Sequence, residues 1–284
     1  MKQREIQQIL ASHATRDGDG VAILRIAGMQ NADMDPVLMI DELRSDDRAD
    51  FAGGFPPHPH RGMQTLTFMK RGGIVHEDSA GNRGEIRAGG VQWMSAGRGV
   101  IHSEMPTADS DGFHGFQLWF NLPAAQKMSA PRYRDIEVDA LPVVSAPGFK
   151  ACVISGRWQL GSSSSQPAPA EGALTELAPY ASMIDLALEP CVEVELSTDT
   201  MESAVAYVYN GAIANQRGAV HKGQLAITGG GDAWHLTAGE EGASLLVIRG
   251  RPLGEPVAHY GPFVMNTQQE IEQALQDYRA GRFG

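Results

Sequence analysis

Turn-forming residues recur at short intervals along this chain, and their spacing limits the fold more than any other feature of the sequence. Between residues 73 and 99, the pairs Gly81-Asn82 and Gly89-Gly90 leave segments of roughly four to eight residues between turns. Segments of this length suit strands and are too short for most helices. Glycine and proline are also frequent, at 33 and 16 residues. The sequence therefore predicts an all-β barrel or sandwich.

Short apolar or alternating runs with turn-rich flanks mark the predicted strands. In the first half these runs are GVAILRIAG (20–28), PVLMIDEL (36–43), TLTFMKRGG (65–73) and GFHGFQLWFNLP (112–123). In the second half they are FKACVISG (149–156), ASMIDLAL (181–188), CVEVELS (191–197), SAVAYVYNGAI (203–213), QLAITGGGDAWHLTAG (224–239) and ASLLVIRGRP (243–252). The two halves are expected to share one architecture, although no sequence repeat is evident.

Polar and low-complexity segments suggest where the domains divide. Residues 124–144 are polar, contain two prolines, and are typical of an interdomain connection. We therefore expect an N-terminal domain over 1–135, a linker over 136–147 and a C-terminal domain over 148–284. The serine- and proline-rich stretch 161–173 is predicted to be a mobile surface loop within the C-terminal domain.

The end of the chain changes to a helical period. Thr267 and Glu270 form the pattern of a capping box, and Gly281 stands where a helix C-cap is expected. Between them, apolar residues recur at i, i+3, i+4 and i+7, namely Ile271, Ala274, Leu275 and Tyr278. We therefore predict one amphipathic helix over residues 267–280.

Charge and hydropathy exclude several classes of function. The net charge is −11, which argues against a nucleic-acid-binding face and against binding to anionic membrane surfaces. The sequence has no apolar run of 18 residues that could span a bilayer, and its start lacks the features of a signal peptide. The two cysteines, Cys152 and Cys191, provide no disulfide framework. A reducing cytoplasm is the expected location.

Two short pairs of ligand-type residues suggest a metal site. His58 and His60 stand at i and i+2 where a glycine-rich loop becomes a strand, and His102 and Glu104 repeat this spacing after a second glycine turn. On an extended backbone, residues at i and i+2 point to the same face. The 41 residues between the pairs are enough for several short strands that could bring them side by side. The second half has no such pair following a glycine turn into a strand.

Three imidazoles and one carboxylate form a mixed nitrogen and oxygen site. Such a site suits Fe(II), Cu(II), Mn(II), Co(II) or Ni(II), with Zn(II) as a further candidate. Four ligands would leave two octahedral positions open, whereas a structural zinc site is usually closed and tetrahedral.

Each histidine also has a plainer interpretation. A single H-x-H pair is commonly incidental, and it is the second pair that makes a metal site a serious hypothesis. His76 could join the cluster, although a local hydrogen bond in a hairpin is the better interpretation. His114 is expected to be a buried, hydrogen-bonded histidine, and His221 and His235 are expected to be structural.

Several long stretches of the sequence resemble the pirin family, within the cupin superfamily. They are DPVLMIDEL (35–43), HPHRGMQTLTF (58–68), HEDSAGNRG (76–84), VQWMSAGRGVIHSEMP (91–106), HGFQLWFNLP (114–123) and GRPLGEPVAHYGPFVMNTQQEIEQALQDY (250–278). The resemblance implies a bicupin with two facing β-barrel (jelly-roll-like) domains and a short C-terminal helix. It further implies one metal ion per chain, in the N-terminal barrel, with ligands matching His58, His60, His102 and Glu104.

One position departs from the general cupin pattern. Four residues after the second histidine, where cupins and most pirins carry glutamate, this chain has Gln64. In pirins this residue is not the carboxylate ligand, so metal binding is expected to survive. A neutral amide would nevertheless remove a negative charge near the site and could change metal preference or redox potential.

The resemblance implies two functions of different class. Some microbial pirins resemble quercetin 2,3-dioxygenases, which open a flavonol with O₂ and release carbon monoxide. In that interpretation Fe(II) is the preferred ion among the candidates, and Glu104 is both a ligand and the catalytic base. The substrate would be a small flavonol-like aromatic. The alternative is a non-enzymatic, metal- or redox-dependent regulator that binds a transcription factor or a metabolic enzyme. Dioxygenase activity is the preferred hypothesis because the set of ligands is complete.

Overall fold

The structure is a computed structural model that describes residues 2–162, 165–177, 179–216 and 218–283. The strands of the first half, within these ranges, are β1 (Ile6–Ala11), β2 (His13–Asp17), β3 (Val21–Ala27), β4 (Val37–Ser45), β5 (Phe55–His60), β6 (Met63–Arg71), β7 (Gly73–Asp78), β8 (Arg83–Arg87), β9 (Val91–Ser95), β10 (Val100–Pro106), β11 (Phe113–Asn121) and β12 (Arg132–Ile136).

The second half continues with strands and ends in the single α-helix of the described chain. The strands are β13 (Val143–Ala146), β14 (Phe149–Ser155), β15 (Arg157–Ser162), β16 (Ser165–Glu171), β17 (Ser182–Leu188), β18 (Glu193–Ser197), β19 (Ser203–Asn215), β20 (Gly218–His221), β21 (Gln224–Thr228), β22 (Ala233–Gly250), β23 (Ala258–Tyr260) and β24 (Phe263–Met265). The helix α1 covers Gln268–Arg279, and four 3₁₀ helices cover Ala32–Met34, Arg48–Asp50, Ala124–Gln126 and Val138–Ala140. The predicted all-β class with one C-terminal helix is confirmed. No helix in the described ranges is long and apolar enough to cross a bilayer.

The chain divides into two compact units. The first, which we call the N-terminal unit, consists of His13–Ala32, Val37–Val138 and Leu253–Gly284. The second, the C-terminal unit, consists of Met1–Ser12, Asp33–Pro36 and Asp139–Pro252. The start of the chain therefore belongs to the C-terminal unit and the end of the chain to the N-terminal unit, whereas the expected division placed each end in the unit of its own half. β1 pairs with β21 over the register from Ile6 to Ala11, whereas α1 packs on β23 and β24.

Two antiparallel sheets build the N-terminal unit. One sheet has seven described strands in the order β12-β9-β6-β11-β4-β3-β2, and the other has four, in the order β5-β10-β7-β8. Apolar side chains from both sheets join one buried cluster that includes Ile23, Met69, Ile74 and Ile86. The two sheets therefore bury one core between their apolar faces, as in a sandwich.

The C-terminal unit has a continuous apolar interior. Its strands form one sheet system of eleven described strands around the central order β1-β21-β19-β22-β17-β14-β13. A single buried cluster joins side chains from most of these strands, including Trp158, Leu186, Val208 and Trp234. Alternating apolar residues of paired strands fill this interior, as the sequence pattern predicts.

The terminal helix agrees closely with its prediction. Thr267 Oγ1 accepts a hydrogen bond from the Glu270 amide, and the Glu270 carboxylate accepts one from the Thr267 amide, so the capping box is complete. Gly281 follows the last turn with φ +67°, the left-handed conformation expected after a helix end. Ile271 and Ala274 are fully buried against Phe263 and Met265.

The segments expected to be an interdomain connection, a linker and a mobile loop contain strands. The connection over 124–144 includes β12, which pairs with β9, and the linker over 136–147 includes β13, which pairs with β14. In the segment 161–173, expected to be a mobile loop, residues 165–171 form β16 against β15, and residues 163 and 164 lie outside the described ranges. β12, β13 and β16 each end a sheet path. Edge strands tolerate polar residues and proline, which is why sequence pattern did not reveal them.

Candidate metal centre

Pairing of two strands brings the predicted ligand pairs together. β5 runs antiparallel to β10, so that His102 lies directly opposite His58 and Val100 lies opposite His60. Because side chains alternate along a strand, these histidines share one face of the four-stranded sheet. A register irregularity follows His102, and Glu104 is paired with Phe55.

The local sequence explains why β5 lies at the sheet edge. The strand reads FPPHPH, and its three prolines lack the amide hydrogens that an interior strand needs. A glycine turn follows at Gly62, with φ +78°, where an added Cβ would lie 2.0 Å from the Val264 carbonyl oxygen. Only glycine allows the chain segment around Val264 to approach this closely.

The three histidines form a compact group. One ring nitrogen from each of His58, His60 and His102 lies within 4.8 Å of the others. No other group of three ligand-type side chains meets this condition in the described part of the chain. Three imidazole nitrogens at this spacing can hold one transition-metal ion.

Each ring is fixed through its Nδ1 atom. The Nδ1 of His58 lies 2.8 Å from the Pro56 carbonyl oxygen, and that of His60 lies 3.3 Å from the Pro262 carbonyl oxygen. The Nδ1 of His102 lies 3.3 Å from the Nδ1 of His76. A carbonyl oxygen can only accept a hydrogen bond, so His58 and His60 carry their protons on Nδ1. Their Nε2 atoms are therefore free for a metal.

His102 offers a second sign that the donors fit a metal. Its Nε2 is buried and has no hydrogen-bond partner among the described residues. An unpaired buried nitrogen is costly unless another ligand occupies that direction. Burial also lowers the pKa of the His60 and His102 rings well below the usual histidine value, and neighbouring imidazoles lower both further. Both rings are therefore neutral at pH 7, as metal ligation requires.

Glu104 lies beside this group without joining it. Its Oε1 is 2.8 Å from the Thr67 hydroxyl, and its Oε2 accepts a hydrogen bond of 3.2 Å from the Gln117 amide. Thr67 and Gln117 belong to β6 and β11 of the seven-stranded sheet. Hydrogen bonds from the opposing sheet therefore orient this carboxylate.

A pocket opens directly onto the histidines. It has a volume of about 940 Å³ and is lined by His58, His60, Glu104 and Gln117. Apolar side chains form much of the wall, including Met29, Leu38, Met39, Phe55 and Trp119. One polar part of the wall is an ion-paired group in which Arg25 lies 2.6 Å from a carboxylate oxygen of both Asp17 and Asp41. The volume is near the upper end of the range of small-molecule sites.

Sequence comparisons identify the family. The family model described as Pirin matches residues 22–120, and that described as Pirin C-terminal cupin domain matches residues 183–284. The chain belongs to the pirin family. The predicted bicupin fold is thereby confirmed, since both cupin domains are matched.

Individual pirin-like proteins are similar over nearly the full length. A Vibrio cholerae protein named "Putative quercetin 2,3-dioxygenase" is 44% identical over 99% of this chain and 98% of its own. A pirin-like protein of Caulobacter vibrioides is 40% identical over 100% of both chains. The crystal structure of a quercetin 2,3-dioxygenase from Acinetobacter baumannii has a TM-score of 0.87 and 31% identity, covering 99% of both chains.

In this pirin, Gln64 does not face the histidines. It lies on β6 an odd number of positions from Thr67, so its side chain projects from the opposite face of the sheet. There its Oε1 accepts a hydrogen bond of 2.9 Å from the Trp93 indole. The expectation that the amide changes the charge at the metal site therefore lacks support from the geometry.

Three further histidines lie against carboxylates, namely His76, His114 and His235. His114 Nε2 lies 3.0 Å from a Glu42 oxygen. The expected hydrogen bond is present, although the ring is only partly buried. His235 lies between Glu193 and Glu195 on the surface. His76 is 1% exposed and contacts both Asp78 and His102, so it lies beside the cluster without being one of its three members.

Sequence reasoning missed the residues that orient the candidate ligands. Thr67 and Gln117 are polar positions inside alternating apolar strands, and this local signal could have marked them as facing a site. The Pro262 carbonyl could not be found in this way, because it is 202 residues from His60.

Proposed function

We propose that this pirin is a metal-dependent dioxygenase that cleaves flavonols such as quercetin with O₂. The observation that carries the proposal is the pocket of about 940 Å³ that opens onto His58, His60 and Glu104. Its apolar walls suit a flat aromatic molecule, and the carboxylate and two histidines in its lining suit an ionisable hydroxyl. The names of two full-length relatives agree with this reaction.

The ion would be held by His58, His60, His102 and Glu104. Imidazole and carboxylate ligands with open positions are those of non-haem Fe(II) oxygenases, and Fe(II) is therefore our first choice. A bound ion would supply Lewis acidity toward the 3-hydroxyl of the flavonol and the electronic route for reaction with O₂.

Glu104 would serve as the base that removes the proton of the 3-hydroxyl. It lines the pocket, and its two oxygens are oriented by Thr67 and Gln117 rather than free to rotate. A base held in one orientation can receive a proton from a substrate placed against the histidines. The apolar wall near Leu38 and Trp119 would exclude water from the reacting ring.

The test is aerobic incubation of metal-loaded protein with quercetin. We expect loss of quercetin absorbance and uptake of O₂ in proportion to the metal content. The matched control is a flavone that lacks only the 3-hydroxyl, which should not be consumed because it lacks the 3-hydroxyl proton that Glu104 would take. Metal-free protein should also be inactive.

Failure of fully loaded protein to consume quercetin would contradict the proposal. The alternative would then gain weight, namely a metal- or redox-dependent regulator that binds a transcription factor or a metabolic enzyme.

A further inference from the structure

We propose that Asp78 and His76 are positioning residues that decide which nitrogen of His102 is available to a metal. This inference rests on the metal site proposed above and concerns how the protein prepares one of its ligands. It assigns a role to two residues outside the group of three histidines.

The sheet register brings the three side chains into a row. In the pairing of β10 with β7, Asp78 lies directly opposite His102 and His76 lies opposite Glu104. All these positions project from the same face. Asp78 Oδ2 lies 3.3 Å from His76 Nε2, and His76 Nδ1 lies 3.3 Å from His102 Nδ1.

When both imidazoles are neutral, counting protons along this row gives one consistent arrangement. A carboxylate can only accept, so the Nε2 of His76 carries a hydrogen and donates it to Asp78. In a neutral ring the other nitrogen then has a lone pair, so the Nδ1 of His76 accepts from His102. The Nδ1 of His102 must therefore carry the hydrogen, and its Nε2 has the free lone pair. This is the same nitrogen that is buried without a partner among the described residues.

His102 thus differs from the other two histidines. His58 and His60 face backbone carbonyls, which accept under all conditions. His102 faces another ring, which accepts only while a carboxylate holds the far nitrogen as a donor. Which nitrogen His102 presents to a metal therefore depends on Asp78, which acts through His76.

Both positioning residues are themselves fixed. Asp78 Oδ1 accepts hydrogen bonds from the amides of Ala80 and Asn82, and its Oδ2 accepts one from the Asn82 side chain. The ring of His76 is stacked on Tyr133 with centroids 4.5 Å apart and an interplanar angle of 27°. The row is therefore rigid enough to select one tautomer.

Substitution of Asp78 by asparagine should reverse the whole row. The two backbone amides would retain the side-chain oxygen on their side and leave the NH₂ group toward His76 and Asn82, whose side-chain amide would turn its oxygen toward the new donor. His76 Nε2 would then accept and its Nδ1 would donate, so His102 would accept on Nδ1 and carry its hydrogen on Nε2. The nitrogen that should bind the metal would be blocked.

The first experiment reads the tautomer directly. In metal-free protein, long-range ¹H–¹⁵N NMR spectra should show His102 protonated on Nδ1 in the parent and on Nε2 in Asp78→Asn. The matched control is Glu77→Gln, which removes one negative charge at the neighbouring, exposed residue that pairs with Arg83. This control should keep the parent's tautomer.

The second experiment measures zinc(II) affinity by competition with a chromophoric chelator, since zinc is air-stable and diamagnetic. Loss of an outer hydrogen-bond partner typically weakens metal binding by about 10- to 100-fold, and we expect this for Asp78→Asn. Glu77→Gln should stay close to the parent. His76→Ala should also weaken binding, whereas His76→Asn, whose side-chain oxygen can replace the accepting Nδ1, should recover most of it.

A parent in which His102 carries its hydrogen on Nε2 would overturn the inference. So would an Asp78→Asn protein with both the parent's tautomer and the parent's zinc affinity. Because the tautomer is read without metal or substrate, the result is independent of quercetin turnover. A parent inactive toward quercetin would therefore count against the proposed reaction and leave this inference standing.

Discussion

The two units of this pirin use their interiors in opposite ways. In the C-terminal unit one continuous apolar cluster, with Trp158 and Trp234 among its largest members, fills the space between strands. In the N-terminal unit the sheets enclose histidines, a glutamate and a pocket of about 940 Å³. Of the buried polar or charged side chains in the described chain, seventeen belong to the N-terminal unit and five to the C-terminal unit.

The difference indicates that burial and hydrogen bonding, rather than residue type alone, suit a group of side chains to metal binding. The C-terminal unit also has ligand-type residues close together, since His235 lies between Glu193 and Glu195. There Nδ1 is 3.3 Å from Glu193 and Nε2 is 2.9 Å from Glu195, so both ring nitrogens are engaged. In the N-terminal unit each of the three clustered histidines, His58, His60 and His102, uses only Nδ1 and keeps Nε2 available.

The largest effect is expected for metal content. The parent should bind close to one transition-metal ion per chain, and His58→Ala should lose nearly all of it, because it removes one of the three imidazoles that would hold the ion together with Glu104. His235→Ala is the matched control in the C-terminal unit and should keep the parent's content. Elemental analysis of the purified proteins measures this.

Two ions per chain in the parent would contradict the expectation that only the N-terminal unit binds a metal ion. The same holds for a His58→Ala protein with unchanged metal content. Loss of metal in His235→Ala would move the site to the other unit.

The next effect concerns Glu104, which lines the pocket beside His58 and His60. Glu104→Gln keeps the size and an oxygen donor but cannot take a proton near neutral pH. Quercetin turnover per bound metal should fall by about 10²-fold or more, the usual scale for a positioned general base. Metal should still bind, more weakly, while Glu104→Ala should lose both turnover and more metal. Near-parental rates per bound metal in Glu104→Gln would exclude it as the base.

The third effect separates stability from function. Trp234 is 1% exposed within the apolar cluster, and Trp234→Ala should lower the free energy of unfolding by about 3–5 kcal/mol. The metal content of the folded fraction should not change, because the residue lies in the unit that lacks the cluster of His58, His60 and His102. Met201→Ala, at a side chain 71% exposed in the same unit, should leave stability nearly unchanged. Chemical denaturation measures both, and selective loss of metal in Trp234→Ala would contradict the separation.

The sequence predicted the fold where local pattern determines structure. The alternation of TLTFMKRGG and GFHGFQLWFNLP gave β6 and β11, and the capping residues gave α1 to within one residue at each end. Edge strands such as β12 and β13 were not predicted, because their polar residues are equally compatible with a loop. The place of β1 beside β21 escaped because pairing between distant segments leaves no local periodicity.

The candidate site was predictable to the same extent. Spacing at i and i+2 was enough to select His58, His60 and His102, which the structure brings together. Which nitrogen each ring presents depends on contacts set by sheet register and by a carbonyl far along the chain. Such contacts follow from the three-dimensional fold and cannot be read from residue type or spacing.

The smallest effect is a pH dependence of stability in metal-free protein. Burial lowers the pKa of His60 and His102 below the value of 6.5 expected in the unfolded chain. Between that value and the lower folded pKa, the unfolded state binds more protons, so stability is complete above about pH 6.5 and falls as the pH is lowered. Each ring should contribute a slope of up to about 1.4 kcal/mol per pH unit.

The window from pH 6.5 to 5 lies above the usual carboxylate range, and urea denaturation with a chelator present measures the slope. His60→Gln should reduce it by the share of one histidine, whereas His221→Gln, at an exposed residue of the C-terminal unit, should not. Equal slopes in the parent and His60→Gln would contradict this prediction, because they would show that the buried His60 ring does not make stability depend on pH in this range.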